Sequence, residues 1–289
     1  MSLFHVIVLA IVQGFAELLP VSSSAHVVVA EKLMGLDPSS PPMTLLLVML
    51  HTGTMFAVIV YFWRQWRDAY FQSWTAFKKF AWLVIMATIF TGVIGEAIIQ
   101  IIERTAFKGR PHAEIEDLFS HLELIAPALA AAGILILIAS VIERRSRTAG
   151  VKEWDDLHTK QAAMIGAVQG LCLPFRGFSR SGATISTGML MGVMKSRAES
   201  FSFTLAVVLT PLAVGREALR LMQAEHSGGT AAFASAAAPS LLGAVFAFLA
   251  GLVALQWLSK WLEGGRWYLF GIYCLFAAFV VTALYRTGY

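Results

Sequence analysis

Charge is scarce in this chain of 289 residues: 22 Lys and Arg and 18 Asp and Glu make up only 14% of it, against roughly 25% in a typical soluble domain. The net charge of +4 is too small for the basic footprint of a nucleic-acid-binding module. Two cysteines, Cys172 and Cys274, cannot staple a secreted domain, and neither has a Cys or His nearby at metal spacing, so both read as small buried apolar residues. No polar stretch exceeds about twenty residues, which is loop length and excludes a separate soluble domain. No Lys or Arg precedes the apolar run 6–12, and Gln13, Glu17 and a serine cluster follow it. Residues 1–30 therefore belong to the fold and are not a signal peptide. What is abundant is apolar surface, at 57% of residues with a mean hydropathy of +0.70. That excludes a disordered chain and points to an all-α polytopic membrane protein.

A bilayer core of about 30 Å takes roughly 20 helical residues. Six transmembrane helices are predicted on this count, over 43–63, 81–102, 124–142, 200 to about 222, 237–259 and 267–285. The fourth is the weakest, since Pro211 interrupts it and Arg216, Glu217 and Arg220 follow. Glu96 and the Arg216/Glu217 pair either line a cavity or pair internally. Residues 3–30 and 161–195 are apolar but too interrupted by Gly, Ser and Pro to span, and read as two re-entrant helix pairs aimed at a site.

Basic residues mark cytoplasmic loops. Loop 64–80 holds Arg64, Arg67, Lys78 and Lys79, loop 143–160 holds Arg144, Arg145, Arg147, Lys152 and Lys160, and loop 260–266 holds Lys260 and Arg266. Loop 103–123, with Glu103, Glu114, Glu116, Asp117 and Glu123, and loop 223–236, with Glu225, face outward by the same rule.

The chain also repeats itself. Ile11-Val12-Gln13-Gly14 matches Ala167-Val168-Gln169-Gly170, and each copy runs on through Leu-Pro (19–20 and 173–174) to a serine-rich turn and then three spans. Three is odd, so the halves are inverted, with the first re-entrant pair entering from outside. The expected organisation is a single membrane domain, 1–289, with repeat one at 1–142, a linker at 143–160 and repeat two at 161–289. Such repeats place a site near the midplane where they meet.

The two serine turns carry the chemistry. Gln13 and Glu17 are four apart on one helical face, and Ser23 and His26 are three apart on another. Ser179, Arg180, Ser181, Gly182 and Thr184 add hydroxyls, backbone amides at a helix start and a guanidinium, which are the parts of a phosphate site. Each has a bland alternative: Glu17 as a protonated helix contact, His26 as an interhelical bond, Arg180 as an interface residue, and Ser22, Ser23 and Ser24 as helix caps. Ionisable residues at membrane depth favour function. His51, in Leu50-His51-Thr52-Gly53-Thr54, reads as structural.

Gln13-Gly14-Phe15-Ala16-Glu17-Leu18-Leu19-Pro20-Val21-Ser22-Ser23-Ser24-Ala25-His26, with Ser179-Arg180-Ser181-Gly182-Ala183-Thr184 and His51-Thr52-Gly53-Thr54, closely resembles the undecaprenyl-diphosphatase family, also called bacitracin-resistance proteins, over nearly the whole chain. The resemblance implies an integral phosphatase of the bacterial cell inner membrane. Its active site would open to the periplasmic side and convert undecaprenyl diphosphate to the monophosphate, recycling the lipid carrier for wall synthesis and giving bacitracin resistance. It maps the family's acidic motif onto Gln13 and Glu17, its serine and histidine onto Ser23 and His26, and its arginine onto Arg180. It also implies a divalent cation, Mg or Ca, with Glu17 as candidate ligand, membrane lipid as partner, no nucleic acid, and a homodimer as a candidate assembly. The chain departs from the family at Ala25 and at Arg176-Gly177-Phe178, in place of a Pro-Gly approach, and these bear on pocket shape and lipid preference.

The expected site thus has Ser23, His26, Glu17 and Arg180 as catalytic residues. Gln13, Ser22, Ser24, Ser179, Ser181, Gly182 and Thr184 bind the diphosphate. Ser23 is the expected nucleophile with His26 as its base, although His26 as nucleophile stays open. Glu17, with Gln13, either orients that network or holds the cation. The alternative class is a transporter or flippase of an isoprenoid phosphate, which shares broken helices and inverted repeats but needs no nucleophile beside a base. A lipid phosphatase of the acid-phosphatase-like class would need a His after Ser179-Arg180 at fixed spacing, and none follows.

Overall fold

A computed structural model describes residues 2–36, 40–106, 122–150, 154, 156–225 and 230–287. Among these the secondary structure is helical, with one isolated bridge between Trp154 and Val193. Ten helices follow in order: α1 (Leu3–Leu18), α2 (Ser23–Leu33), α3 (Pro41–Tyr70), α4 (Trp74–Ala106), α5 (Leu122–Thr148), α6 (Thr159–Cys172), α7 (Arg180–Leu190), α8 (Lys195–Glu225), α9 (Thr230–Glu263) and α10 (Tyr268–Arg286). Apolar chain in a bilayer must satisfy its own backbone groups, and the helix does so within one segment.

Five segments are long and apolar enough to cross a membrane: Pro42–Tyr70, Trp74–Thr105, Leu122–Thr148, Ala237–Glu263 and Tyr268–Arg286. The chain is a multi-pass membrane protein. The expected fourth span falls on α8, whose 31 residues are long enough but which does not enter this set. Lys195, Arg197, Glu199, Ser200, Ser202 and Thr204 dilute its apolar character. Glu96 is exposed and accepts a hydrogen bond from Gln100 on its own helix at 2.9 Å. Several expectations lie outside the described residues: Glu114, Glu116 and Asp117 of the acidic loop, Lys152, and the side chains of Arg216, Glu217, Arg220 and Glu225.

The two segments expected to be re-entrant are short helix pairs. α1 and α2 have 16 and 11 residues, and α6 and α7 have 14 and 11. At 1.5 Å per residue each reaches only about 16–24 Å, less than the bilayer core. Sequence sets their ends. Ser2 accepts from the His5 amide to cap α1, Pro20 stands just past its other end, and Ser179 caps α7 by accepting from the Gly182 amide.

The pairs are seated in matching ways. α1 lies on α9 and α6 lies on α4, each through the glycine of its Val-Gln-Gly run. A Cβ on Gly14 would stand 2.5 Å from Ala250 Cβ and 3.1 Å from the Gly251 nitrogen, and one on Gly170 would stand 2.6 Å from the Thr91 carbonyl oxygen and 2.9 Å from the Gly95 nitrogen. Only glycine permits either approach. α5 packs on α7 and α10, and α3 packs on α8 and α9. An aromatic core at α3 and α8, with Phe62 stacked on both Trp66 and Phe203, fixes the frame around the hairpins.

Candidate active site

The tips of the two hairpins meet. Ser181 on α7 donates its hydroxyl to the Leu19 carbonyl at 3.3 Å, and the Gly177 amide donates to Ser24 Oγ at 3.4 Å. Gly177 has φ +100°, a left-handed conformation open to glycine, and it lets the second turn close down over the first.

At this junction Glu17, in the last turn of α1, collects three donors. Oε2 accepts from Ser23 Oγ at 2.5 Å and from Gln13 Nε2 at 3.2 Å, and Oε1 accepts from an Arg180 guanidinium nitrogen at 2.7 Å. The Glu17 and Arg180 side chains are 15% and 23% exposed, so the pair is largely desolvated yet reachable. A partly buried pair of this kind is costly to break, by about 3–5 kcal/mol when one partner is removed, because the other is left uncompensated. Gln13 lies one turn before Glu17, and the i, i+4 spacing read from sequence is what brings its amide onto the carboxylate.

The structure pairs Ser23 and His26 differently from the expectation. Ser23 donates to Glu17, whereas His26 turns the other way. Ser22, just before α2, has a φ of +68°, which is sparsely populated for a residue with a Cβ. The Ser22 carbonyl accepts from the His26 backbone amide at 3.4 Å and from His26 Nδ1 at 2.8 Å, as the Leu47 carbonyl does from His51 Nδ1 on α3. His26 Nε2 is 2.7 Å from the Tyr273 hydroxyl of α10. Glu17, not His26, is thus the group that holds the Ser23 proton in this geometry.

The remaining expected ligands divide. Ser22 and Ser24 join their hydroxyls at 3.2 Å beside the site. Ser179, Ser181, Gly182 and Thr184 are all buried. Ser179 Oγ is occupied by the Gly182 amide, and Thr184, on α7, pairs with Ser202 Oγ of α8 at 2.6 Å. These groups build and seat the start of α7 beneath Arg180. Two residues join the site that sequence patterns did not assign to it. His51 of α3 donates from Nδ1 to the Leu47 carbonyl at 2.8 Å and holds Nε2 3.8 Å from Glu17 Oε2. Tyr273 is the other. Cys172 and Cys274 are buried and free, as small apolar residues would be.

A hydroxyl hydrogen-bonded to a carboxylate, with a guanidinium held alongside, is equipped for nucleophilic attack on a phosphorus whose oxygens the arginine binds. For a divalent cation, the described residues include no group of three or more His, Cys, Asp or Glu, and Glu17 is the carboxylate at the junction. A hard cation accepts one carboxylate when phosphate oxygens and water complete its shell. Glu17 is the residue that would hold such a cation, with oxygens of a bound diphosphate completing its shell.

The family model described as Bacitracin resistance protein BacA matches residues 6–280. The chain is 58% identical over 287 residues to "Undecaprenyl-diphosphatase 2" of Acinetobacter baylyi, covering 98% of both chains. It is 33% identical to "Undecaprenyl-diphosphatase 2" of Burkholderia thailandensis, over 96% of this chain and 95% of that one. It is 32% identical to "Undecaprenyl-diphosphatase" of Caldicellulosiruptor bescii, over 99% and 98%.

Proposed function

Because the chain belongs to the Bacitracin resistance protein BacA family, we propose that it is a membrane phosphatase that hydrolyses undecaprenyl diphosphate to undecaprenyl phosphate and phosphate. The reaction would recycle the lipid carrier for wall synthesis and so confer bacitracin resistance. The observation that carries the chemistry is the three-way junction at Glu17, where the Ser23 hydroxyl and the Arg180 guanidinium converge from two hairpins on one carboxylate.

In this reading Arg180 binds oxygens of the terminal phosphate, and Ser23 Oγ attacks that phosphorus while Glu17 accepts its proton. The phosphorus–oxygen bond to the lipid phosphate breaks, and the leaving undecaprenyl phosphate carries away the electron pair. Water then attacks the Ser23 phosphate, releasing phosphate and returning the proton to Ser23, with His26 beside the turn as the group that assists the water. Gln13 orients Glu17, Ser22 and Ser24 line the turn, and Ser179, Ser181, Gly182 and Thr184 hold Arg180 and the α7 terminus in place. A Mg or Ca ion carried on Glu17 and the phosphate oxygens would neutralise charge on the diphosphate.

The membrane setting in this reading is the bacterial inner membrane, with α8 as a sixth span and the hairpins α1–α2 and α6–α7 re-entrant in an inverted repeat, 1–142 and 161–289. The matching seats of Gly14 on α9 and Gly170 on α4 support the repeat, and the basic loops support an outward-opening site. The test is phosphate release from the purified protein supplied with undecaprenyl diphosphate, with and without chelator. Turnover that the chelator suppresses is expected, and no phosphate release under either condition would refute the reading.

A further inference from the structure

His26 is gripped from both sides, and one side is contributed by the far end of the chain. Its Nδ1 faces the Ser22 carbonyl at 2.8 Å. A carbonyl only accepts, so Nδ1 carries the proton, and in the neutral imidazole Nε2 carries the lone pair. Into that lone pair the Tyr273 hydroxyl donates at 2.7 Å, and the two rings stack with centroids 5.6 Å apart at 13°. The next residue, Cys274, donates its thiol to the Pro20 carbonyl at 3.3 Å. Two consecutive residues of α10 thus clasp the first hairpin, one at its tip and one at its histidine.

We propose that Tyr273 is a positioning residue for the hydrolysis, fixing the ring plane of His26 and the position of its Nε2. The proposal rests on the reading in which His26 takes part in the reaction. The Ser22 carbonyl selects the Nδ1–H form, and the Tyr273 hydroxyl and stack hold Nε2 and the rotation of the ring. A ring so held presents Nε2 in one orientation, and the Tyr273 hydroxyl can move aside to release it when phosphate and water occupy the site. Without Tyr273 the ring keeps its Nδ1–H bond to the Ser22 carbonyl but loses its partner at Nε2 and its stack, so Nε2 is less well placed and catalysis slows while lipid binding, which depends on Arg180 and the serine turn, is unchanged.

The experiment uses the full-length protein and undecaprenyl diphosphate, with Tyr273→Phe to remove the hydroxyl and keep the stack, Tyr273→Leu to remove both, and His26→Gln as reference. Nitrogen-15 NMR of histidine-labelled protein follows His26 Nε2, assigned by its loss in His26→Gln. A lost neutral hydrogen bond corresponds to about a threefold to tenfold effect. Tyr273→Phe should lower kcat by that factor at unchanged KM and move the Nε2 resonance, and Tyr273→Leu should lower kcat further. Parental kcat in Tyr273→Phe, or an Nε2 resonance that does not move, overturns the proposal. His26→Gln with parental turnover would remove His26 from the reaction and the proposal with it. A dead His26→Gln beside a fully active Tyr273→Phe overturns the proposal alone.

Discussion

Arg180 and Glu17 stand 163 positions apart in the sequence and meet at 2.7 Å, each from a different hairpin. The contact joins the two hairpins at the candidate site, and in the proposed reaction neither hairpin alone would assemble both the anion-binding group and the group that activates a hydroxyl. Arg180 opens α7 directly after its cap Ser179, and the start of that helix sets where its long side chain begins.

Lysine at that place would keep the charge and lose the fork. Arg180→Lys should fold normally and lose most phosphate release, roughly tenfold to a hundredfold for a charge-assisted hydrogen bond worth about 1.5–3 kcal/mol. Near-parental turnover in a steady-state assay would take Arg180 out of the site.

In the proposed reaction Glu17 would accept the Ser23 proton and would be the protein ligand of a cation. Glu17→Gln keeps the shape and loses the charge, and turnover should drop by about 10²–10⁴-fold. Glu17→Asp should raise the Mg or Ca concentration needed to restore a chelated preparation. A cation titration identical to the parent's would separate Glu17 from the metal.

The seats of the hairpins predict where packing fails. Gly170→Val would place a branched side chain where a Cβ already meets the Thr91 carbonyl at 2.6 Å, and overpacking of this kind costs about 1–3 kcal/mol. The thermal midpoint in detergent should fall markedly, whereas Gly92→Ala, at a glycine with open space around it, should leave it in place.

Topology is testable with single cysteines in a Cys172→Ala, Cys274→Ala background. Gln72→Cys and Thr148→Cys should resist an impermeant thiol reagent in intact cells, and Glu114→Cys should react. Labelling of both basic loops from outside would contradict the inverted arrangement.

Much of the site was legible because it is local. Gln13 and Glu17 share a helical face by spacing alone, and Arg180 among hydroxyls at a helix start reads as an anion ligand from chemistry alone. What was not legible depends on backbone conformation and on contacts distant in sequence. Ser23 and His26 are three apart, but Ser23 turns to Glu17 and His26 to the Ser22 carbonyl and Tyr273, and no spacing rule anticipates that. Tyr273 reaches His26 across 247 positions, and His51 reaches Glu17 from α3; in sequence Tyr273 is one more aromatic ring in an apolar run, and His51 reads as structural. The expected sixth span runs into a similar limit, because α8 keeps the length of a span while Lys195, Arg197 and Glu199 make its start polar.

The central claim is that Ser23, activated by Glu17, is the group phosphorylated during turnover. The direct measurement is rapid acid quenching of the purified protein with undecaprenyl diphosphate carrying a radiolabelled terminal phosphate, followed by peptide mapping of the bound label. The account predicts acid-stable label on Ser23 in the parent, and neither label nor turnover in Ser23→Ala. Label on His26, which acid would strip, or parental phosphate release from Ser23→Ala would contradict it.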